Sequence, residues 1–149
     1  MFSHVFIGIG PAADAFDRAL AFYDPLMQAL GIAPRFVDRA RPWAGWQSAT
    51  GSGRPLFLIG RPFDAEVHAP GNGQMVAFLA ATRAQVDRVH AAALAHGGRC
   101  EGPPGLRPEY HADYYGAYFR DPDGNKLCVA CHEAEPAGTA SPGINRREP

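Results

Sequence analysis

The sequence predicts an α+β fold made of two βαβββ modules in tandem. Three observations lead there. The order strand, helix, three extended runs is spelled twice, on either side of an irregular stretch at 61–73. Two helical stretches each carry one apolar face and end at glycine. A chain of 149 residues with 46% hydrophobic residues is long and apolar enough for one packed core.

The first strand is expected at 5–9. A helix follows at about 13–30, where Phe16, Leu20, Tyr23, Met27 and Leu30 recur at three- and four-residue steps. Gly31 closes it, and Pro25 inside the pattern is expected to bend or break it. Extended runs follow at 35–39, 43–50 and 56–59, with a Gly-Ser-Gly turn at 51–53. Residues 61–73 connect the halves. The second module opens with a strand at 74–80. Its helix starts at Thr82, with Gln85 three residues later as a capping box. Val86, Val89 or His90, Ala93 and Leu94 form the apolar face, and Gly97-Gly98 ends it. Strands are expected at 99–101, 113–120 and 126–131, the last two joined by a turn over Asp121-Pro122-Asp123-Gly124-Asn125. The helices share an Asp-Arg pair, at Asp17-Arg18 and Asp87-Arg88. Module one thus spans about 1–60, the linker 61–73, module two about 74–132, and 133–149 is expected to be a mobile tail.

Fourteen basic and fifteen acidic residues give a formal net charge of −1. That argues against a general electrostatic grip on nucleic acid or an anionic membrane, so neither is expected as a partner. No apolar run is long enough to span a bilayer. The opening MFSHVFIGIG has no charged segment before its apolar run and reads as a strand rather than a signal peptide. Three cysteines, an odd number, do not form a secreted disulfide framework, so a reducing cytoplasm is expected.

Five segments in order carry a resemblance: SHVFIGI, ALAFYDPLMQALG, LFLIGRPFD, GNGQMVAFLA and YYGAYFRDPDGNKLCVACH. Together, over about 2–132, the chain resembles the vicinal oxygen chelate superfamily, which includes glyoxalase I, extradiol dioxygenases and bleomycin-resistance proteins. The resemblance implies that the two modules form a cup-like open barrel of mixed sheet within a single glyoxalase-like domain. It also implies a homodimer. In the family's metalloenzymes one divalent ion sits in the cup, held by residues on inward strand positions, two from each module.

Carried over residue by residue, the first ligand position holds His4. The second falls near Phe57 or Leu58, both hydrocarbon. The third holds Met75, before Val76-Ala77, and the fourth holds Cys128, where a glutamate is usual. Divalent ions in this fold want imidazole and carboxylate, so no cofactor is expected at these positions. The missing glutamate also removes the group that would move protons beside a carbonyl. His4, Met75 and Cys128 are soft enough for Cu(I), but Met75 and Cys128 also suit simple apolar filling.

Cys128-Val129-Ala130-Cys131-His132 spells the C-x-x-C-H of c-type haem attachment. On a strand, residues three apart face opposite sides, which weakens both that reading and a Cys128–Cys131 disulfide. Asp121 and Asp123 resemble a fragment of a calcium loop without its other ligands. A richer cluster lies at 107–115, where Arg107, Tyr110, His111 and Tyr114 precede a cup-lining strand. They are candidates for binding an anionic or aromatic ligand at the rim. Trp43 and Trp46, three apart, are further candidates, of which only one can face the cup.

The expected function is that of a glyoxalase/bleomycin-resistance-like protein with a degenerate metal site, binding a small organic molecule in its cup. The alternative is a divalent-metal-dependent lyase, isomerase or dioxygenase of the same superfamily that recruits His111 or His132. A third reading is a partner protein that uses the fold only as a dimer scaffold.

Overall fold

A computed structural model describes residues 2–48 and 53–135. Most of the 51–53 turn, and the tail from residue 136, lie outside the described residues. Module one contains β1 (His4–Gly8), α1 (Ala15–Leu30), β2 (Ala33–Asp38), β3 (Trp43–Gln47) and β4 (Leu56–Gly60). Module two contains β5 (Val76–Leu79), α2 (Arg83–Ala95), β6 (Arg99–Leu106), β7 (Tyr115–Arg120) and β8 (Lys126–Cys131). No helix among the described residues is long and apolar enough to cross a membrane.

The modules repeat one topology. Strand order is β1-β4-β3-β2 in one sheet and β5-β8-β7-β6 in the other. The first pair of each, β1 with β4 and β5 with β8, is parallel, and the rest are antiparallel. The two mixed sheets stay separate instead of closing into a barrel, which is the open, cup-like arrangement expected.

Strand alternation divides each sheet into two faces. One face, with Ile7, Trp46, Phe57, Ile59, Phe78, Ala117, Phe119, Leu127 and Val129, joins both helices in a single core. The rings of Phe57 and Phe78 meet at 5.1 Å and bridge the sheets. Phe22, Leu26 and Met27 of α1 are fully buried there. Burial of each contributes about 1.5–3 kcal/mol relative to exposure. The stripe on α1 is wider than the sequence pattern because the helix packs against α2 as well as its own sheet.

Several local expectations change. Pro25 lies inside α1 without breaking it, at the cost of one backbone hydrogen bond. Gly31 closes α1 in the left-handed region, with φ of 71°. Leu94 is exposed and leaves the α2 face to Val86, Val89, His90 and Ala93. The capping box forms one residue off the usual pattern. Thr82 Oγ1 accepts from Gln85 N at 3.1 Å, while Gln85 Oε1 accepts from Ala81 N at 2.7 Å. Gln85 Nε2 also donates to the carbonyl of Ala29 at 2.8 Å, which ties the start of α2 to the end of α1. Strand β6 runs on to Leu106 through Pro103 and Pro104, because it is an edge strand with two register shifts.

The turn at 121–125 does more than reverse the chain. Asp121 is 5% exposed. Its Oδ2 accepts from Tyr23 Oη of α1 at 2.6 Å and from Asn125 Nδ2 at 2.8 Å. Its Oδ1 accepts from the backbone N–H groups of Asp123 and Asn125, at 3.0 and 2.8 Å. Asn125 Nδ2 also donates to the carbonyl of Gly8 at 3.0 Å. Module two is thereby pinned to α1 and β1 of module one. Burial pushes the Asp121 carboxyl above its ordinary value, and the bonds from Tyr23 and Asn125 offset only part of that shift.

Tyr23→Phe removes one donor from this buried carboxylate and is expected to lower stability by about 1–3 kcal/mol in urea unfolding. An unchanged midpoint would show that the bond carries no net stability. The folded carboxyl holds its proton more tightly than the unfolded chain does. Its stabilising share is therefore full below the ordinary carboxylate range and is lost as pH rises through the folded value. The stability of the native chain relative to Asp121→Asn should accordingly fall as pH rises through that acid window.

Candidate functional site

The faces turned away from the helices are where chemistry has room. In module one the register places His4, Phe6 and Gly8 of β1 beside Leu56, Leu58 and Gly60 of β4, then Trp43, Gly45 and Gln47 of β3. Glycine shapes this surface. A Cβ at Gly45 would come within 2.6 Å of Leu58 and 2.7 Å of Phe36, and one at Gly60 within 3.2 Å of the Phe6 ring. Without those carbons, the rings lie across the sheet. The result is a hollow of about 680 Å³ lined by His4, Phe6, Arg41, Trp43, Arg61 and Phe63, among others. That volume suits a small organic ligand.

Charges around the hollow are arranged unequally. Asp38 Oδ2 accepts from Arg41 Nε at 3.1 Å and from Trp43 Nε1 at 3.3 Å. Bonds from Arg41 hold the Asp38 carboxyl below the usual carboxylate range. The Arg41 guanidinium lies 5.6 Å over the Trp43 ring. His4 Nδ1 meets Ser3 Oγ at 2.7 Å.

Module two presents a different surface at the same place. Tyr118 and Ala77 flank Cys128 in register, and Gly116 flanks Ala130. A Cβ at Gly116 would come 2.7 Å from the Tyr114 ring, so this glycine lets Tyr114 fold over the sheet. Tyr114 Oη reaches Tyr118 Oη at 3.3 Å and Cys128 Sγ at 3.6 Å. The Tyr110 and Tyr114 rings lie 4.9 Å apart. Arg107 sits 5.8 Å over Tyr118 and donates to the carbonyls of Pro103 and Leu106, at 2.9 and 3.1 Å. His111 Nε2 and His132 Nδ1 share a 2.8 Å hydrogen bond, and both rings contact Tyr114. Burial pushes the Tyr114 phenol and the Cys128 thiol up, so both keep their protons at neutral pH.

The expected site residues therefore fall into two groups. Arg107, Tyr110, His111 and Tyr114 converge on module two, joined by Tyr118 and His132. Trp43 belongs to the hollow on module one, and none of the four lines that hollow. Trp46 faces the other way and leaves the set of cup residues. It is 1% exposed in the core, with Nε1 donating to Asp24 Oδ1 at 3.1 Å. Alternation along β3 dictates this split. Phe6 could have been found from its place two residues after His4. Phe63 and Arg61 lie inside LFLIGRPFD, a segment that carries the resemblance, but nothing in their spacing marks them as site residues.

The family's metal positions do not fit a divalent ion. Leu58, on the same face as His4, offers only hydrocarbon. Cys128 is a buried, protonated thiol under Tyr114, and Met75 is a 45% exposed thioether. Among the described residues, no three His, Cys, Asp or Glu side chains are grouped to hold a metal. Cys128 and Cys131 also diverge. Cys131 joins the helix-side core while Cys128 lies beneath the tyrosines, so the C-x-x-C-H string forms no clamp.

Thiol labelling checks this placement. In the native chain only Cys100 is exposed, and Cys128 and Cys131 are buried. One fast-reacting thiol is expected for the folded protein, and a second after Tyr114→Ala uncovers Cys128. A second fast thiol in the unmutated chain would contradict the seal.

A family model described as the Glyoxalase/Bleomycin resistance protein/Dioxygenase superfamily matches residues 9–129. No curated protein matches the sequence significantly. Among solved structures, a glyoxalase/bleomycin resistance protein from Albidiferax ferrireducens T118 is 37% identical, with a TM-score of 0.75. That match covers 88% of this chain and 98% of the other. A glyoxalase-related enzyme from Fulvimarina pelagi is 21% identical, with a TM-score of 0.64 and 93% coverage of both chains. A lactoylglutathione lyase from Agrobacterium tumefaciens is 20% identical, with a TM-score of 0.57, covering 88% of this chain and 92% of the other. These last two likenesses concern the fold alone. With the sequence match, the 37% relative and the paired βαβββ modules in agreement, the chain belongs to the glyoxalase/bleomycin resistance protein/dioxygenase superfamily, the vicinal oxygen chelate group.

Proposed function

We propose that this chain binds a small organic molecule over the open face of module one, without a divalent ion at the family's ligand positions. The observation that carries this reading is the 680 Å³ hollow in front of His4, with a hydrocarbon wall where metal chemistry would need a donor. The edge strands β1 and β5 and the exposed Met75 and Leu79 support a homodimer. Three free cysteines accord with a reducing cytoplasm.

A thermal-shift screen of small organic compounds tests the binding reading. A ligand near 100 times its Kd should raise Tm by about 5–10 °C, and Phe6→Ala should abolish the shift. No stabilising compound across a broad set would count against it. Sedimentation equilibrium tests the assembly. A dimer is expected at micromolar concentration, and a monomer throughout would refute it.

The 2.8 Å contact of His111 with His132 favours one second reading, a metal-dependent lyase, isomerase or dioxygenase with relocated ligands. Elemental mass spectrometry after incubation with Zn²⁺, Ni²⁺, Mn²⁺ and Fe²⁺ separates the two. Stoichiometric uptake abolished by His111→Ala would establish the enzyme-type site. No uptake by folded protein would remove it.

A further inference from the structure

We propose that the module-one hollow selects a planar aromatic anion, with its ring system against Phe6 and Phe63 and its negative group on Arg61. This deepens the ligand-binding reading and rests on it.

The charge argument comes first. Among the described residues no carboxylate lines the hollow, while two guanidinium groups and an imidazole do. Arg41 is already engaged by Asp38 and by the Trp43 ring. Arg61 is exposed and makes no hydrogen bond or ion pair among the described residues. Asp64, three residues on, uses Oδ1 to accept from Glu66 N. One uncommitted guanidinium at the edge of an apolar hollow attracts a carboxylate or sulfonate and repels an organic cation.

The shape argument concerns the rings. Trp43 has little face to give, since Phe36 packs 4.5 Å from it and Arg41 covers it. It acts as a wall. Phe6 lies across Gly60 and is 47% exposed, and Phe63 is fully exposed. Two aromatic faces left in water, lining one hollow with a free guanidinium, suit a flat ring bearing a negative group. Offset stacking adds about 0.5–1.5 kcal/mol per ring pair beyond area burial.

Two fluorescent probes with one ring system test this on the full chain. Anilinonaphthalene sulfonate carries the negative group, and N-phenylnaphthylamine lacks it. The sulfonate is expected to bind more tightly than the neutral amine. Arg61→Gln should weaken the sulfonate about tenfold and leave the amine within about twofold. Phe6→Ala should weaken both. Raised salt should weaken the sulfonate alone. Arg61 is a surface residue, so the variant should keep the native urea midpoint. If Arg61→Gln leaves sulfonate affinity unchanged while Phe6→Ala abolishes it, the anion selection is overturned and the hollow stands as a binding site. If neither probe binds, or binding ignores Phe6→Ala, the reading of the hollow itself fails.

Discussion

A buried carboxylate at the β7–β8 turn holds the halves of this protein together. Removing a carboxylate from water costs several kcal/mol unless donors replace the lost hydration. Asp121 receives four, and one of them, Tyr23 Oη, comes from the opposite module. Asn125 extends the link to the Gly8 carbonyl. Gly10 completes the fit, since a Cβ there would come 2.6 Å from Asp123 Oδ1. The turn is therefore docked into module one. The position of this turn against α1 and the end of β1, and with it the relation between the modules, follows from that docking.

The sheet faces then divide the work. The helix-side faces absorb the bulky apolar residues into one core. The open faces are sculpted by glycine, and the two modules use the freed space in opposite ways. At Gly45 and Gly60 the space admits rings that lie flat and leave a hollow. At Gly116 the space is taken by Tyr114, which covers Cys128. One duplicated topology thus yields a receptive face and a filled one.

Much of the fold was legible because its signals are local. Periodicity marked α1, glycine marked its end, and the last strand falls on 126–131 as expected. Strand β6 runs past the expected 99–101 through Pro103 and Pro104, which only its edge position makes tolerable. Alternation showed that one tryptophan of the pair must turn inward, but not which one. The convergence of Arg107, Tyr110, His111 and Tyr114 was visible as a dense run of chemistry, whereas their contacts with Tyr118 and His132 depend on strand register. The place of Phe63 in the hollow has no local signal, since a lone aromatic without periodic neighbours resembles any other surface residue. Asp121 looks like a turn former in the sequence because nothing local to it points to Tyr23, 98 positions away.

The protonation states on module two limit what that face can do. Burial keeps the Cys128 thiol and the Tyr114 phenol protonated at neutral pH. A thiol that is neutral and covered is a poor nucleophile and a poor metal ligand. A phenol in that state donates a hydrogen bond and does not abstract a proton. The surface built from them offers neutral donors and ring edges, with Arg107 fixed above by backbone carbonyls. Those two groups supply no base, which leaves the hydrogen-bonded His111–His132 pair as the imidazoles of this face. The uncommitted charge of Arg61 lies on module one. The two open faces therefore differ in chemistry as well as in shape.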